Sequence, residues 1–329
     1  MAASCKARVT VEKRKSDGAI IASELYAKYP LRLHICQFHD QVSAATTITT
    51  RNAPVGGEKK MVDDTDACSK GLSIFLLSHG GGLLAGDSIM LDVLVKEGAA
   101  ICATSFSMGK AFKPKVLSFE SPPNGVGVGM NDANLIRTHS TCRVGKNALL
   151  ALCPQPTQCF RNTCLEQKNF ITIEPDGSSS LMLVDWYTGG RANLDGGIWQ
   201  MDSLHSSTEI FLRSEGDHHG AVDKKIFWDV AKLKGGHELS RHMRGFNVVA
   251  MVILIGDRVK QEADSLMKAC CARSKFEMSD EVGKNVTYGR EGMNTNGLLV
   301  SCGKIDIAKD VDQGVLLRLS SHSVEQAGE

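Results

Sequence analysis

Aromatic residues make up only 5% of this 329-residue chain, and its charges nearly cancel, with 38 Lys and Arg against 37 Asp and Glu for a formal net charge of +1. Each shortage excludes something. With few rings there is no platform on which bases could stack. With no surplus charge there is no field to hold a polyanion, so nucleic acid is not an expected partner. Long apolar runs are missing too. The longest, Val248–Ile255, is far too short to cross a bilayer core of about 30 Å, so no membrane partner is expected. The opening residues, MAASCKARVTVEKRKSDG, lack the apolar core of a secretory signal, and Glu12 and Asp17 argue against a transit peptide. Eleven cysteines, an odd number, then fit free thiols in a reducing compartment, and a cytoplasmic location is expected.

Catalytic signatures are scarce in the same way. There is no G-x-S-x-G nucleophile elbow and no evident acid–base pair. Cys142, Cys153, Cys159 and Cys164 lie close in sequence but contain no C-x-x-C pair, so structural zinc is not expected. His218, His219, His237 and His242 sit in polar, glycine-flanked stretches and read as solvated loop histidines. Asp63, Asp64 and Asp66 lack the glycine and distal glutamate of a calcium loop. These residues alone do not argue for an enzyme.

Glycine is plentiful, at 32 residues, and its densest stretch organises the chain: SHGGGLLAGD (78–87). Before it, Ser73-Ile74-Phe75-Leu76-Leu77 is a short apolar run of strand formers. After it, Ile89, Leu91, Val93 and Val95 alternate with Met90, Asp92, Leu94 and Lys96, the period of a pleated strand. Gly81, Gly86, Asp87 and Ser88 fall on the spacing of a phosphate-binding G-x-x-x-x-G-K-S loop. Asp87, however, stands where a lysine would neutralise phosphate, and a strand follows where a helix N-terminus belongs. The glycines are read as a turn that needs positive φ.

Further strands are read at 19–25, 31–35, 46–50, 101–104, 135–137, 148–152, 170–173, 181–186, 299–304 and 315–319. Polar loops are read at 51–70, 121–130 and 274–298. Many short strands with regular turn signals mean an all-β architecture. One long helical pattern stands out, because Val259, Ala263, Leu266, Met267, Cys270 and Cys271 recur as an amphipathic face. The two cysteines are read as core-facing packing.

Several stretches, in order, resemble the urease accessory protein D family: YPLRL (29–33), SHGGGLLAGDSIMLDVLVKEGAA (78–100), ALLALCPQPTQCF (148–160) and LMLVDWYTGGRANLDGGIWQMDSL (181–204). RHMRGFNVVAMVILIG (241–256) is a weaker match. The resemblance implies one domain over 1–329, all-β dominated, built as an elongated β-helix-like stack of many short strands with about two α-helices. Residues 1–18 are expected to be a flexible N-terminus. Ser323 and Gln326 have capping-box spacing for a second helix, which the family carries further than this chain does.

The function implied is that of a non-catalytic urease maturation factor. It would work with urease accessory proteins F and G, the latter a GTPase, dock on apo-urease and pass nickel through an internal tunnel, with no tightly bound cofactor. Asp87 matches the family's aspartate at the end of the glycine loop and is the expected transient nickel ligand. Ser107 is a second candidate, although 105–113 departs from the family pattern by one residue. Gly80, Gly81, Gly82, Gly86, Asp185, Trp186, Gly190 and Arg191 are expected as structural motif residues. His79 replaces the family's proline, and Gln155 replaces an acidic residue between Pro154 and Pro156. Two other readings stand beside this one. The chain is a stand-alone module for small anions or a metal at the glycine loop, or an enzyme with Asp185 as base and Arg191 as anion clamp. The structural alternative for that second pair, an Asp185–Arg191 contact locking a turn, is favoured over catalysis.

Overall fold

Strict alternation of buried and exposed residues writes most of this fold, beginning where it was least expected. The computed structural model describes residues 4–29, 31–38, 71–78, 81–106, 109–112, 134–214, 223–277, 292–293, 299–307 and 314–323. The stretch expected to be a flexible N-terminus opens with a ten-residue strand, β1 (Ser4–Lys13). Cys5, Ala7, Val9 and Val11 point inward from it and are buried. Lys6 and Arg8 face outward and pair with Asp92 and Glu24, each at 2.8 Å. The charged alternates made this strand look like a tail.

Along the chain follow β2 (Ile20–Ala27), β3 (Leu31–Phe38), β4 (Gly71–Ser78), β5 (Ser88–Val95), β6 (Ala100–Phe106) and the short β7 (Lys110–Ala111). Next come β8 (Leu135–Val144), β9 (Leu149–Leu152), β10 (Thr157–Cys159), β11 (Cys164–Ile173) and β12 (Ser180–Thr188). Beyond the helical turn α1 (Ala192–Asp195) lie β13 (Ser203–Leu212) and β14 (Lys224–Lys234). The rest is α2 (His237–His242), β15 (Val248–Ile255), α3 (Lys260–Glu277), β16 (Gly292–Met293), β17 (Leu299–Ile305) and β18 (Gly314–Ser321).

The strands form two mixed sheets. The first runs β14-β13-β11-β8-β5-β1-β2, and the second runs β16-β17-β18-β15-β12-β9-β6-β4-β3, with β7 and β10 beside it. From β4 to β13 the long strands alternate between the sheets, each pairing in parallel with the one before it in its own sheet. Antiparallel strands finish the edges. Val93, Cys142, Ile171 and Ile210 of the first sheet meet Ile101, Leu150, Leu181 and Ile253 of the second in one apolar cluster. A separate cluster gathers Ile136, Leu165 and Leu204 with Leu83, Tyr187 and Trp199.

The mostly-β expectation holds, with two corrections. Many strands are long, with ten residues each in β1, β8, β11 and β13, while β7, β9, β10 and β16 have two to four. Three α-helices stand among the described residues where about two were expected. α3 buries Ala263 against Leu254 and Val315 and extends through 274–277, which were read as loop. Cys270 on it is half-buried. His237 and His242 sit on α2 rather than in a loop and are exposed. The expected strand at 46–50, the loop at 51–70, the break at 121–130, His218, His219 and Gln326 lie outside the described residues.

Ile171 sits on a strand paired on both sides and is fully buried. Ile171→Ala should lower the unfolding free energy by about 2–5 kcal/mol, read from urea denaturation. A negligible change would mean that this cluster does not tie the sheets together.

A candidate polar seam between the sheets

Parallel strands in register bring inward positions of equal depth level with one another. The inward face of the first sheet shows the consequence. Ile136, Leu165, Leu204 and Leu233 form one apolar row, and Cys142, Ile171, Ile210 and Phe227 form another. The two rows between them are polar. One is Thr138, Gln167 and Ser206, and the other is Ser140, Asn169, Thr208 and Asp229. A polar seam therefore runs over β8, β11 and β13 between the two apolar clusters, and gives way to Ile89 and Leu91 on β5.

Burying hydroxyls and amides is unfavourable unless each finds a partner. Asn169 donates to Thr208 Oγ1 at 3.2 Å, and Gln167 Nε2 donates to Asp185 Oδ1 at 2.8 Å. Thr138 Oγ1 is buried with no partner among the described residues. The seam is also loosely filled. A cavity of about 140 Å³ is lined mostly by apolar side chains, Leu33, Leu76, Leu91 and Leu152 among them, together with Thr138, Ser140, Gln167, Asn169, Ser105 and Asp185. A second, of about 350 Å³, is lined by Asp185, Tyr187, Ser206, Thr208, Asp229 and Arg318 among others. Asp185 belongs to both.

Asp185 is 5% exposed, on the inward face of β12. It accepts hydrogen bonds from Gln167, from Ser206 Oγ at 3.2 Å and from the Tyr187 hydroxyl. Burial pushes its carboxyl above the ordinary range, those three donors pull it back, and the charge of Asp229 raises it again. Burial likewise pushes the Tyr187 hydroxyl well up, and the Asp185 charge adds to the rise. A single carboxylate among neutral oxygens attracts a cation without caging it. Among the described residues, no group of three His, Cys, Asp or Glu is arranged to hold a metal ion.

The expected motif residues divide around this seam. Gly81 and Gly86 adopt φ of 77° and 86°, as a tight turn requires. A Cβ on Gly82 would lie 2.3 Å from the Phe112 ring. Asp87 caps this turn, since the Leu84 N–H donates to its Oδ2 at 2.8 Å, and it lines neither cavity. Gly80 and Ser107 lie outside the described residues. Trp186 Nε1 donates to the Pro154 carbonyl at 2.8 Å and anchors the Pro154-Gln155-Pro156 segment.

The Asp185–Arg191 pair does not form. Asp185 points into the seam, whereas Arg191 follows the turn at Gly189-Gly190, beyond the end of β12. Arg191 instead reaches Asp195 Oδ1 at 3.4 Å, donates its backbone N–H to Asp195 Oδ2 at 3.0 Å, and lies 3.9 Å over the Phe160 ring. The base-and-clamp arrangement is therefore absent. The cysteine cluster dissolves as well. Cys142 and Cys159 are buried in different apolar clusters, and burial pushes each thiol up to about 12.

Sequence reasoning reached Asp185 and missed Thr138, Ser140, Gln167, Asn169, Ser206, Thr208 and Asp229. Their signal was an inward polar position recurring at the same register, which is visible only once the strands are paired.

The raised Asp185 carboxyl makes a pH prediction. Its folded pKa lies above its unfolded one, so it stabilises the fold most when protonated, and that benefit fades as pH rises through the folded value. The stability of the native chain relative to Asp185→Asn should fall as pH rises above about 4, the ordinary Asp range, in thermal melts. A pH-independent difference would contradict the buried carboxyl.

The family model "UreD urease accessory protein" matches residues 5–329. Urease accessory protein D of Arabidopsis thaliana is 25% identical over 324 residues, which is 97% of this chain and 91% of that protein. Urease accessory protein D of Oryza sativa subsp. indica is 28% identical over 268 residues, covering 81% and 70%. Urease accessory protein 4 of Cryptococcus neoformans is 28% identical over 198 residues, covering 56% and 58%. No helix among the described residues is long and apolar enough to cross a membrane. With the family model matching nearly end to end, the chain belongs to the UreD urease accessory protein family.

Proposed function

We propose that this chain is a non-catalytic scaffold of urease maturation that, with accessory proteins F and G, docks on apo-urease in the cytoplasm and passes nickel to it through the polar seam. The observation that carries this reading is the row of polar side chains on β8, β11 and β13 between two apolar clusters, with Asp185 lining both of the cavities beside it. The strict alternation of strands between the sheets supports an elongated, β-helix-like stack as a single domain, and such a stack gives a seam its length.

The chemistry suits transit. Ni²⁺ binds oxygen and nitrogen donors tightly for a divalent ion, so a passage must offer few charged ligands. Asp185 provides one, and Ser206, Gln167, Thr208 and Ser140 provide neutral oxygens that can substitute for hydration. Nickel is cargo in this reading, not a resident cofactor. Asp87 would meet the ion at the surface turn, outside the seam, and Ser107 would assist it. A second reading of Asp87 is favoured by its bond to Leu84, namely a turn cap alone.

Co-expression with apo-urease and the other accessory proteins tests both readings. Asp185→Asn should leave the complex assembled, judged by co-purification, and reduce the nickel content of urease about tenfold, the factor that one lost charge imposes near contact. Full nickel loading would remove the seam from the path. Asp87→Asn retains an oxygen for the cap. Normal loading by that variant would leave Asp87 as a cap only.

A further inference from the structure

One end of the seam closes on an ion pair. The polar row Ser140, Asn169, Thr208 reaches the edge of the first sheet at Asp229 on β14. In the second sheet, Asp185, Met251 and Arg318 stand level on β12, β15 and β18. The two rows face each other across the larger cavity, which Asp185, Met251, Asp229 and Arg318 all line. At the edge, Arg318 Nη2 donates to Asp229 Oδ1, joining the two sheets. The side chains of Arg318 and Asp229 are 52% and 26% exposed, so this pair meets solvent and the cavity together.

We infer that Asp229 and Arg318 form a charge latch at the lateral mouth of the seam, and that a divalent cation passing there must displace Arg318 from Asp229. The inference rests on the conduit reading above. Latched, the mouth offers a cation no free carboxylate and presents a permanently charged guanidinium. Released, Arg318 has the length and exposure to swing into solvent, and Asp229 becomes a ligand in the sheet opposite Asp185, on the larger cavity that both residues line. Met251 lies between Asp185 and Arg318 in the row of the second sheet. The exchange is of one cation for another on a carboxylate, with no bond made or broken beyond coordination. Asp229 also sits close enough for its charge to be felt at Asp185, as two successive stations of one path would require.

The test uses the chain in complex with its accessory partners and apo-urease, and reads the nickel concentration that gives half-maximal urease activation. Arg318→Gln removes the competing charge and should lower that concentration about tenfold, while Asp229→Asn should raise it by a similar factor. Arg318→Lys keeps the charge and should shift it less than Arg318→Gln does. Assembly and thermal midpoint, measured for every variant, should stay close to native because both residues are partly exposed. If the pair is only a tie between sheets, Arg318→Gln and Asp229→Asn lower the midpoint together and fail to move the nickel requirement in opposite directions, which overturns the latch. Asp185→Asn, run in parallel, separates the two readings. Loss of loading there, with native behaviour in the latch variants, removes the latch alone. Native loading by Asp185→Asn removes the conduit and the latch with it.

Discussion

A carboxylate enclosed between two apolar clusters has to be supplied with hydrogen bonds from its surroundings, and much of this interior is arranged to supply Asp185. Gln167 and Ser206 reach it from the opposite sheet, and Tyr187 reaches it from its own strand. An unpartnered polar group in such a place costs roughly 1–3 kcal/mol. The seam carries several polar groups, and Thr138 Oγ1 has no partner among the described residues. Apolar side chains of similar size would stabilise the same sandwich better. A polar row that is kept at a cost to stability, beside unfilled space, is what a passage needs and what a core does not.

The seam's continuity follows from the connection pattern. Because successive strands of each sheet run parallel and in register, the inward positions of β8, β11 and β13 line up by depth. Polar residues that share a depth on β8, β11 and β13 therefore stand side by side as a row. The same pattern leaves the row open where the first sheet ends, at β14. There the Asp229–Arg318 ion pair lines the larger cavity and is partly exposed.

What the letters revealed depended on whether one strand sufficed. The alternation in 89–95, the helical face from Val259 to Met267 and the glycine turn at 81–86 are local patterns and were legible directly. β1 was missed because Lys6, Arg8 and Glu12 alternate with its apolar residues. β13 was missed because Ser206 and Thr208 occupy inward positions that an apolar-alternation reading expects to be apolar. Asp185 was found by its motif but given the wrong partner. Residue spacing cannot say that a side chain points inward while Arg191, past the turn, binds Asp195. The seam is a property of pairing between strands far apart in sequence, so no single stretch displays it.

The most direct measurement fills the seam without removing a charge. Asn169→Leu places an apolar side chain where the polar row crosses the smaller cavity. Its denaturation midpoint and the nickel content of urease matured with it should be read together. The account predicts a midpoint equal to or above that of the native chain, with an assembled complex and poorly loaded urease. Full nickel loading through a seam plugged in this way would contradict it.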